Sequence, residues 1–579
     1  MLEQSEQHSL SIFTSLICIT LGTIIFWIYY HQSHQYQSTT TGTSVAKEDG
    51  EEVHVQYPPT PKEHHWLWKH GVALAGDGVS SHDIIFLHWM QKLNSKVVMF
   101  DIPVLGRMIV VGDVALAKHV LQSKSKNGTG SLFPKSPTYA DVVPLIGKKS
   151  IVMMEGSEWS HQRRVFTPGF SPEYLKGTVA AIANKCSRML EVCDKEDIAR
   201  GTATDMCARA IDLTSDVIAQ VAFGEDWGDT SKEDNDNDNG GLQTLALFRK
   251  LTSMIGDMMR NPLCRLNPLF HWKMGKLSNS IDQDMQNLVK RRLATIQSQN
   301  QNGNDAPQTD ILSMTLSSVL NENATPRISK ASKDTANANH NIGSENSELL
   351  FSEHDMECMT SQLKTFYFAG HDTTATTIAW AFWQLSMHPV TLQKARDEIV
   401  EHLGSHWVQA VADSNNYEHN IIPEKATTYA NLQQCQYLDA ITRETLRLYP
   451  PAASTRYQKD PEATFGNYKL GKCIVTINSY AIQRDPDVWG KDAHEFRPER
   501  FLGEEGRKKI SSFGFLPFSK GSRDCIGKYF ALLEAKIALA ALITRYDGTP
   551  VEAEKEVYTA RLTSVPKNGC KVKLTRRTP

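Results

Sequence analysis

The chain has 579 residues, 40% of them hydrophobic and 22% charged, with a formal net charge of −3. That length supports a large core, and a charge so near neutral leaves no global electrostatic footprint for nucleic acid. Its ten cysteines follow no repeated spacing, which excludes both a disulfide framework and a zinc pattern, so most read as small apolar residues.

The first element is Leu10 to Tyr30, a charge-free run of 21 residues. As a helix it is long enough to cross roughly 30 Å of hydrocarbon. Phe26, Trp27, Tyr29 and Tyr30 cluster at its far end, where aromatic side chains favour the membrane interface. Glu3 and Glu6 precede it without any Lys or Arg, and no small-residue cleavage site follows. A retained anchor, residues 1–30, therefore fits better than a signal peptide. Residues 31–65 read as a polar tether closed by a stiff hinge at Pro58, Pro59 and Pro61.

From residue 66 the composition becomes globular, with two polar interruptions. The first, 230–241, superficially resembles a calcium loop. Starting at Asp234 puts Asn239 at the turn-glycine position, and starting at Asn235 puts Ala246 at the bidentate-glutamate position, so it reads as a solvated loop. The second, 321–347, is nearly free of large apolar residues and reads as a disordered insertion.

The C-terminal half is strongly helical. Ser352 and Asp355 form a capping box that opens a long helix ending at His388-Pro389. Thr391 to Leu403 follows and is stopped by Gly404. Asn431 to Leu448 is a further helix, stopped by Tyr449-Pro450-Pro451. Cys473 to Ile482 is a short alternating segment. A last helix starts at Cys525 and runs to about Tyr546. The expected fold is mainly α with small β-sheets.

The sharpest segment runs from Phe518 to Gly527. A thiolate metal ligand must be deprotonated, shielded and presented on a rigid loop. Cys525 at a helix N-terminus suits negative sulfur. Gly521 and Gly527 let the backbone bend and a flat macrocycle approach. Arg523 can pair with an anionic cofactor edge, and Phe518 can cover the sulfur. A buried structural cysteine is the rival reading, but five fixed positions at these spacings should arise by chance in roughly one chain in ten thousand.

This segment resembles the haem-binding signature FxxGxRxCxG of the cytochrome P-450 superfamily. Three further segments match in the family's order. Glu444-Thr445-Leu446-Arg447 is similar to the ExxR helix, followed by Phe496 to Phe501. The same ExxR spacing at Glu504 to Arg507 reads as a surface pair. Ala369 to Thr374 is similar to the oxygen-activation motif [AG]GxDTT; a mid-helix glycine followed by back-bonding hydroxyls is expected to distort the turn. Trp159-Ser160-His161-Gln162-Arg163 is similar to WxxxR.

The resemblance covers about residues 58–575. It implies the cytochrome P-450 fold, with Cys525 as the axial ligand of a haem b iron. It implies that Phe518, Gly521, Arg523 and Gly527 shape the ligand loop, and that Trp159, Arg163 and Arg456 face haem propionates. Glu444, Arg447 and Arg500 are implied as a buried structural network. Thr373 is implied to hold a hydrogen bond on the oxygen side, with Asp372 passing protons to it. The chain departs from the family at Gln483, where many members have His. It has Ala369 where some fatty-acid-hydroxylating relatives esterify their haem through Glu, so its haem is expected to be non-covalent.

The implied reaction inserts one atom of O2 into an apolar lipid, sterol, terpenoid or xenobiotic. Electrons come from NADPH through a reductase, with cytochrome b5 as a further partner. The implied location is the endoplasmic reticulum membrane, with the catalytic domain facing the cytosol. A peroxide-rearranging isomerase is a rival, but such enzymes tend to lose the acid–Thr pair kept at Asp372-Thr373. A haem-based gas sensor would usually bring a signalling domain, for which no room remains.

Overall fold

A computed structural model of the chain describes residues 44–48, 51–62, 82–102, 105–124, 131–227, 240–260, 262–301, 310–320, 351–413, 422–423, 427–551, 558–560 and 563–577. The expected anchor at Leu10 to Tyr30 and the insertion at 321–347 lie outside these residues. Among the described residues, no helix is long and apolar enough to cross a membrane.

In chain order, the elements that matter for the site are β1 (Ser44–Glu48), β2 (Glu51–Val55), α1 (His82–Lys92), β3 (Val97–Ile102) and β4 (Gly106–Val111). Then come α2 (Gly156–Phe166), α3 (Pro172–Val192), α4 (Met206–Ile218), α5 (Gly240–Arg260) and α6 (Pro268–Gln301). The C-terminal half holds α7 (Glu353–Met387), α8 (Pro389–Leu403), α9 (Gln436–Leu448), β5 (Ser454–Gln458), β6 (Cys473–Ile477) and α10 (Lys528–Arg545). The chain closes with β7 (Tyr546–Pro550), β8 (Tyr558–Ala560), β9 (Ser564–Pro566) and β10 (Lys571–Arg576). The fold is mainly helical with small sheets, as the sequence led us to expect.

The central element is α7, which packs on α4, α6, α9 and α10. Its N-terminus carries the expected capping box: the Ser352 hydroxyl accepts from the Asp355 amide, and the Asp355 carboxylate accepts from the Ser352 amide. Between Cys358 and Leu385 it is buried except at Phe368, Ala369, Gly370 and Thr373. Buried hydroxyls on such a helix need partners. Thr365, Thr373, Thr376 and Thr377 each donate to the carbonyl four residues back, at 2.7–2.9 Å.

Those back-bonds do not break the helix. It is continuous through the Ala369–Thr374 motif, contrary to the distortion expected there. Gly370 serves a different purpose, because a Cβ there would come 3.1 Å from Ile218 Cδ1 of α4. The glycine allows two helices to approach closely.

Four other boundaries differ from expectation. Within the polar tether expected at 31–65, residues 44–48 and 51–55 form an antiparallel pair, with Ser44 opposite Val55. Asp49-Gly50 lies between two alternating segments, which is a hairpin signal. The polar stretch near 230 ends before Gly240, where α5 begins. The expected helix from Asn431 is divided into Tyr429–Gln434 and α9. The cause is Glu398, whose carboxylate accepts from the Tyr437 and Leu438 amides at 2.6 and 2.9 Å and so starts a fresh helix. Cys473–Ile477 is buried on both faces rather than alternately, because β6 runs inside a four-stranded sheet in the order β3-β4-β6-β5.

The face beneath α7 is organised by one buried network. Arg447 holds Glu444 through two hydrogen bonds of 2.7 and 2.8 Å, and both side chains are fully buried. Arg500 adds a third bond to Glu444 at 3.3 Å and also reaches Asp492 at 2.9 Å. The remaining Arg447 donors go to the carbonyls of Gln483, Ala493 and Glu495. Glu504 takes no part in such a network; its carboxylate pairs on the surface with Lys508 at 3.3 Å.

Gln483 completes this arrangement. Its amide donates to the carbonyls of Leu446 and Arg447 at 3.0 and 2.9 Å, and accepts from the Leu516 amide at 2.7 Å. One side chain therefore ties the end of α9 to the segment leading into the cysteine loop. An imidazole with one donor and one acceptor could not make all three bonds. Gln483→Leu should orphan the buried Leu516 amide and cost about 1–3 kcal/mol of stability. Urea unfolding of the two proteins measures it; equal midpoints would mean the three bonds carry no net weight.

Candidate active site

Cys525 does not begin the last helix, which starts at Lys528. The Cys525 amide donates instead to the Phe518 carbonyl at 3.0 Å, closing the loop on itself. Two residues in the loop take a positive φ, Ser519 at 56° and Gly521 at 82°. At Gly521 the need is double, since a Cβ would sit 2.7 Å from the Leu121 carbonyl oxygen. Gly527 has no such restriction: its φ is −84°, and an added Cβ would make only an ordinary contact with Phe170.

Every other described cysteine is buried or half-buried, while Cys525 is exposed. Desolvation by the surrounding protein pushes the Cys525 thiol up, against the opposing pull of the Gly527 amide and the Arg163 guanidinium.

Opposite the loop, the buried middle of α7 is interrupted at Phe368, Ala369, Gly370 and Thr373. A cleft is lined by Thr373, Thr374 and Thr377 from α7, by Thr442 and Leu446 from α9, and by Phe518, Ala531 and Leu532. It thus separates the threonine-bearing helix from the cysteine-loop side of the molecule. The Thr373 hydroxyl donates to the Ala369 carbonyl at 2.8 Å. Its neighbour Asp372 turns elsewhere and accepts from the Thr563 hydroxyl. His371 stacks on Tyr367, and burial lowers its pKa.

The model of the family described as cytochrome P-450 matches residues 58–574. The chain belongs to the cytochrome P-450 family. Among its relatives, an echinocystic acid 23-monooxygenase of Saponaria officinalis is 27% identical over 74% of this chain and 73% of its own. A cytokinin hydroxylase of Arabidopsis thaliana is 28% identical, covering 73% of this chain and 71% of its own. An 11-oxo-beta-amyrin 30-oxidase of Glycyrrhiza uralensis is 27% identical with the same coverage. This cytochrome P-450 is therefore an oxidoreductase, and membership implies haem iron and dioxygen.

The residues present fit such a group. Arg523 lies over the Trp159 ring at 4.0 Å and donates to the Met154 carbonyl and the Glu155 carboxylate. Arg163 is directed to Asp524 beside the ligand cysteine, bonding its carbonyl at 2.8 Å and its carboxylate at 3.0 Å. Arg456 is 4% exposed and donates to the Thr455 carbonyl. Next to it lies Lys135, paired to Arg456 through an isolated backbone bridge.

Lys135 has no motif to announce it, and sequence reading passed it over. Burial, with Arg456 and Arg523 nearby, holds its ammonium well below the lysine range. Burial likewise pushes Arg523 down to about 10, with Arg456 and Arg163 adding repulsion and Glu155 opposing it. Glu155, also missed, shares its carboxylate between Arg523 and the Lys135 amide. Of the four cations Lys135, Arg163, Arg456 and Arg523, only Arg456 is buried and the other three are half-buried; Arg523 pairs with Glu155 and Arg163 with Asp524. Desolvated cations with few carboxylate partners favour an added anion. The two carboxylates at one edge of haem b have that chemistry.

Lys135→Met should therefore act in opposite directions on the two forms of the protein. The haem-free form should melt at a higher temperature, because a half-buried cation is removed from the neighbourhood of Arg456 and Arg523, at the loss of its contact with the Tyr139 ring. The loaded form should lose haem to an acceptor globin about tenfold faster, the equivalent of one charge-assisted hydrogen bond. Unchanged haem loss would exclude Lys135 from the site.

Proposed function

We propose that this chain is an NADPH-driven monooxygenase that inserts one oxygen atom from O2 into an apolar, terpenoid-class substrate. The observation that carries this reading is the Cys525 loop, closed by the Cys525 amide on the Phe518 carbonyl, beside a cleft that Thr373 lines from α7. Haem b bound on that loop would supply the oxidation chemistry. The Cys525 sulfur would be its protein ligand to iron, on the loop shaped by Phe518, Gly521 and Gly527. Arg456, Arg523 and Lys135 would hold its carboxylates. Trp159 would position Arg523, and Arg163 would fix the loop through Asp524.

On the other side, Thr373 lines the cleft with its hydroxyl donating back to Ala369, so its oxygen is free to accept a hydrogen bond there, with Asp372 as the acid that would supply protons. Ala369, exposed on the same side of α7, offers no carboxylate for a covalent link. Two of the three relatives described above carry names that point to triterpenoids, which is why a terpenoid leads the proposed substrates.

Electrons would come from NADPH through a reductase, with cytochrome b5 as a second donor. Near the cysteine loop Lys520, Lys528 and Arg443 lie among Asp524 and Asp439, a mixed-charge surface on which a reductase would dock. The location we propose is the endoplasmic reticulum membrane, with Leu10 to Tyr30 as anchor and the catalytic domain on the cytosolic side. Leu266, Leu269 and Trp272, at 59%, 69% and 63% exposure, form an apolar patch that could rest on the bilayer.

Reconstitution with a eukaryotic reductase, NADPH and isotopically labelled dioxygen tests the reaction across an oleanane triterpene panel. One labelled oxygen atom should enter the product. In that assay Thr373→Ala should keep haem and substrate binding but divert reducing equivalents to hydrogen peroxide. Full coupling of NADPH to product in that variant would remove Thr373 from proton delivery.

A further inference from the structure

The acid assigned above does not face its threonine partner. Asp372 and Thr373 are adjacent on an unbroken helix, so their side chains leave it about 100° apart. Thr373 bonds back to Ala369, at the exposed part of α7. Asp372 is nine-tenths buried, and its Oδ2 accepts from the hydroxyl of Thr563, itself 4% exposed. Thr563 directly precedes β9 in the β8–β9 pair, whose register sets Ala560 opposite Ser564.

Thr563 is held from its other side as well. The Ser564 amide donates to the Pro451 carbonyl at 2.8 Å, and Pro451 lines the same cleft as Thr373. Burial pushes the carboxyl of Asp83, in the first turn of α1, up to about 6, with the Ser564 side chain opposing that shift. A hydroxyl so constrained fixes the place and the rotamer of the carboxyl it touches.

We propose that Thr563 is a positioning residue for proton delivery, setting through its hydroxyl where the Asp372 carboxyl stands relative to Thr373. Thr563 is not among the residues that line the cleft and acts through Asp372. The proposal rests on the assignment of Asp372 as the acid.

The test uses haem-loaded full-length protein with Thr563→Val, Thr563→Ser and Asp372→Asn. In the resting protein, the infrared carboxyl band that Asp372→Asn removes should shift in Thr563→Val and return in Thr563→Ser. In NADPH oxidation driven by a eukaryotic reductase without added substrate, hydrogen peroxide released per NADPH should rise in Thr563→Val toward the Asp372→Asn level. Thr563→Ser should restore it. If Asp372→Asn raises peroxide but Thr563→Val does not, Asp372 keeps its role and the proposal falls. Should Asp372→Asn itself change nothing, the assignment of the acid fails and takes the proposal with it. A Thr563→Ser variant that behaves like Thr563→Val also overturns it, because bulk rather than the hydroxyl would then be responsible.

Discussion

One fully buried carboxylate, Glu444, organises the half of the molecule that carries the cysteine loop. It accepts two bonds from Arg447, a third from Arg500 and a fourth from the Arg497 amide. Desolvating these charges is expensive, and their mutual attraction offsets that only when every donor is used. Here the spare guanidinium donors are directed to backbone carbonyls over residues 483–495. That segment has little regular structure of its own, so the arginines serve as its scaffold. Gln483 passes the constraint on to Leu516, and the chain enters the cysteine loop from there.

The loop and the cleft express two opposed requirements. A sulfur ligand must be held rigidly while staying open on one side. The Cys525 amide bond to Phe518 and the left-handed Gly521 provide the rigidity. The opening is matched across the cleft by Thr373 on α7, which is only half-buried. At the edge, Lys135, Arg456 and Arg523 crowd together in a way that folding alone would disfavour. Such an arrangement is understandable in a site built around an anionic group rather than in a core built for stability.

What could be read from sequence depended on how local the causes were. The capping box at Ser352, the stop at His388-Pro389 and the Gly404 turn are set within a few residues, and all were legible. So were the spacings around Cys525 and Glu444, which mark the family. The break at Cys435 was not, because its cause is Glu398 on another helix. Lys135 and Glu155 were invisible for the same reason: their environment comes from segments far away in sequence. Asp49-Gly50 is a different case, since its hairpin signal was present but hidden within a stretch read by composition.

The account depends most directly on Cys525 as the ligand of the iron. The measurement that reaches it is the carbon monoxide difference spectrum of the reduced protein, compared with that of Cys525→Ser at equal haem loading. Thiolate ligation predicts a strongly red-shifted Soret band in the unsubstituted protein and its complete loss in the variant, because a serine hydroxyl cannot supply polarizable negative sulfur. An identical red-shifted band in Cys525→Ser would contradict the account, since another residue would then hold the iron.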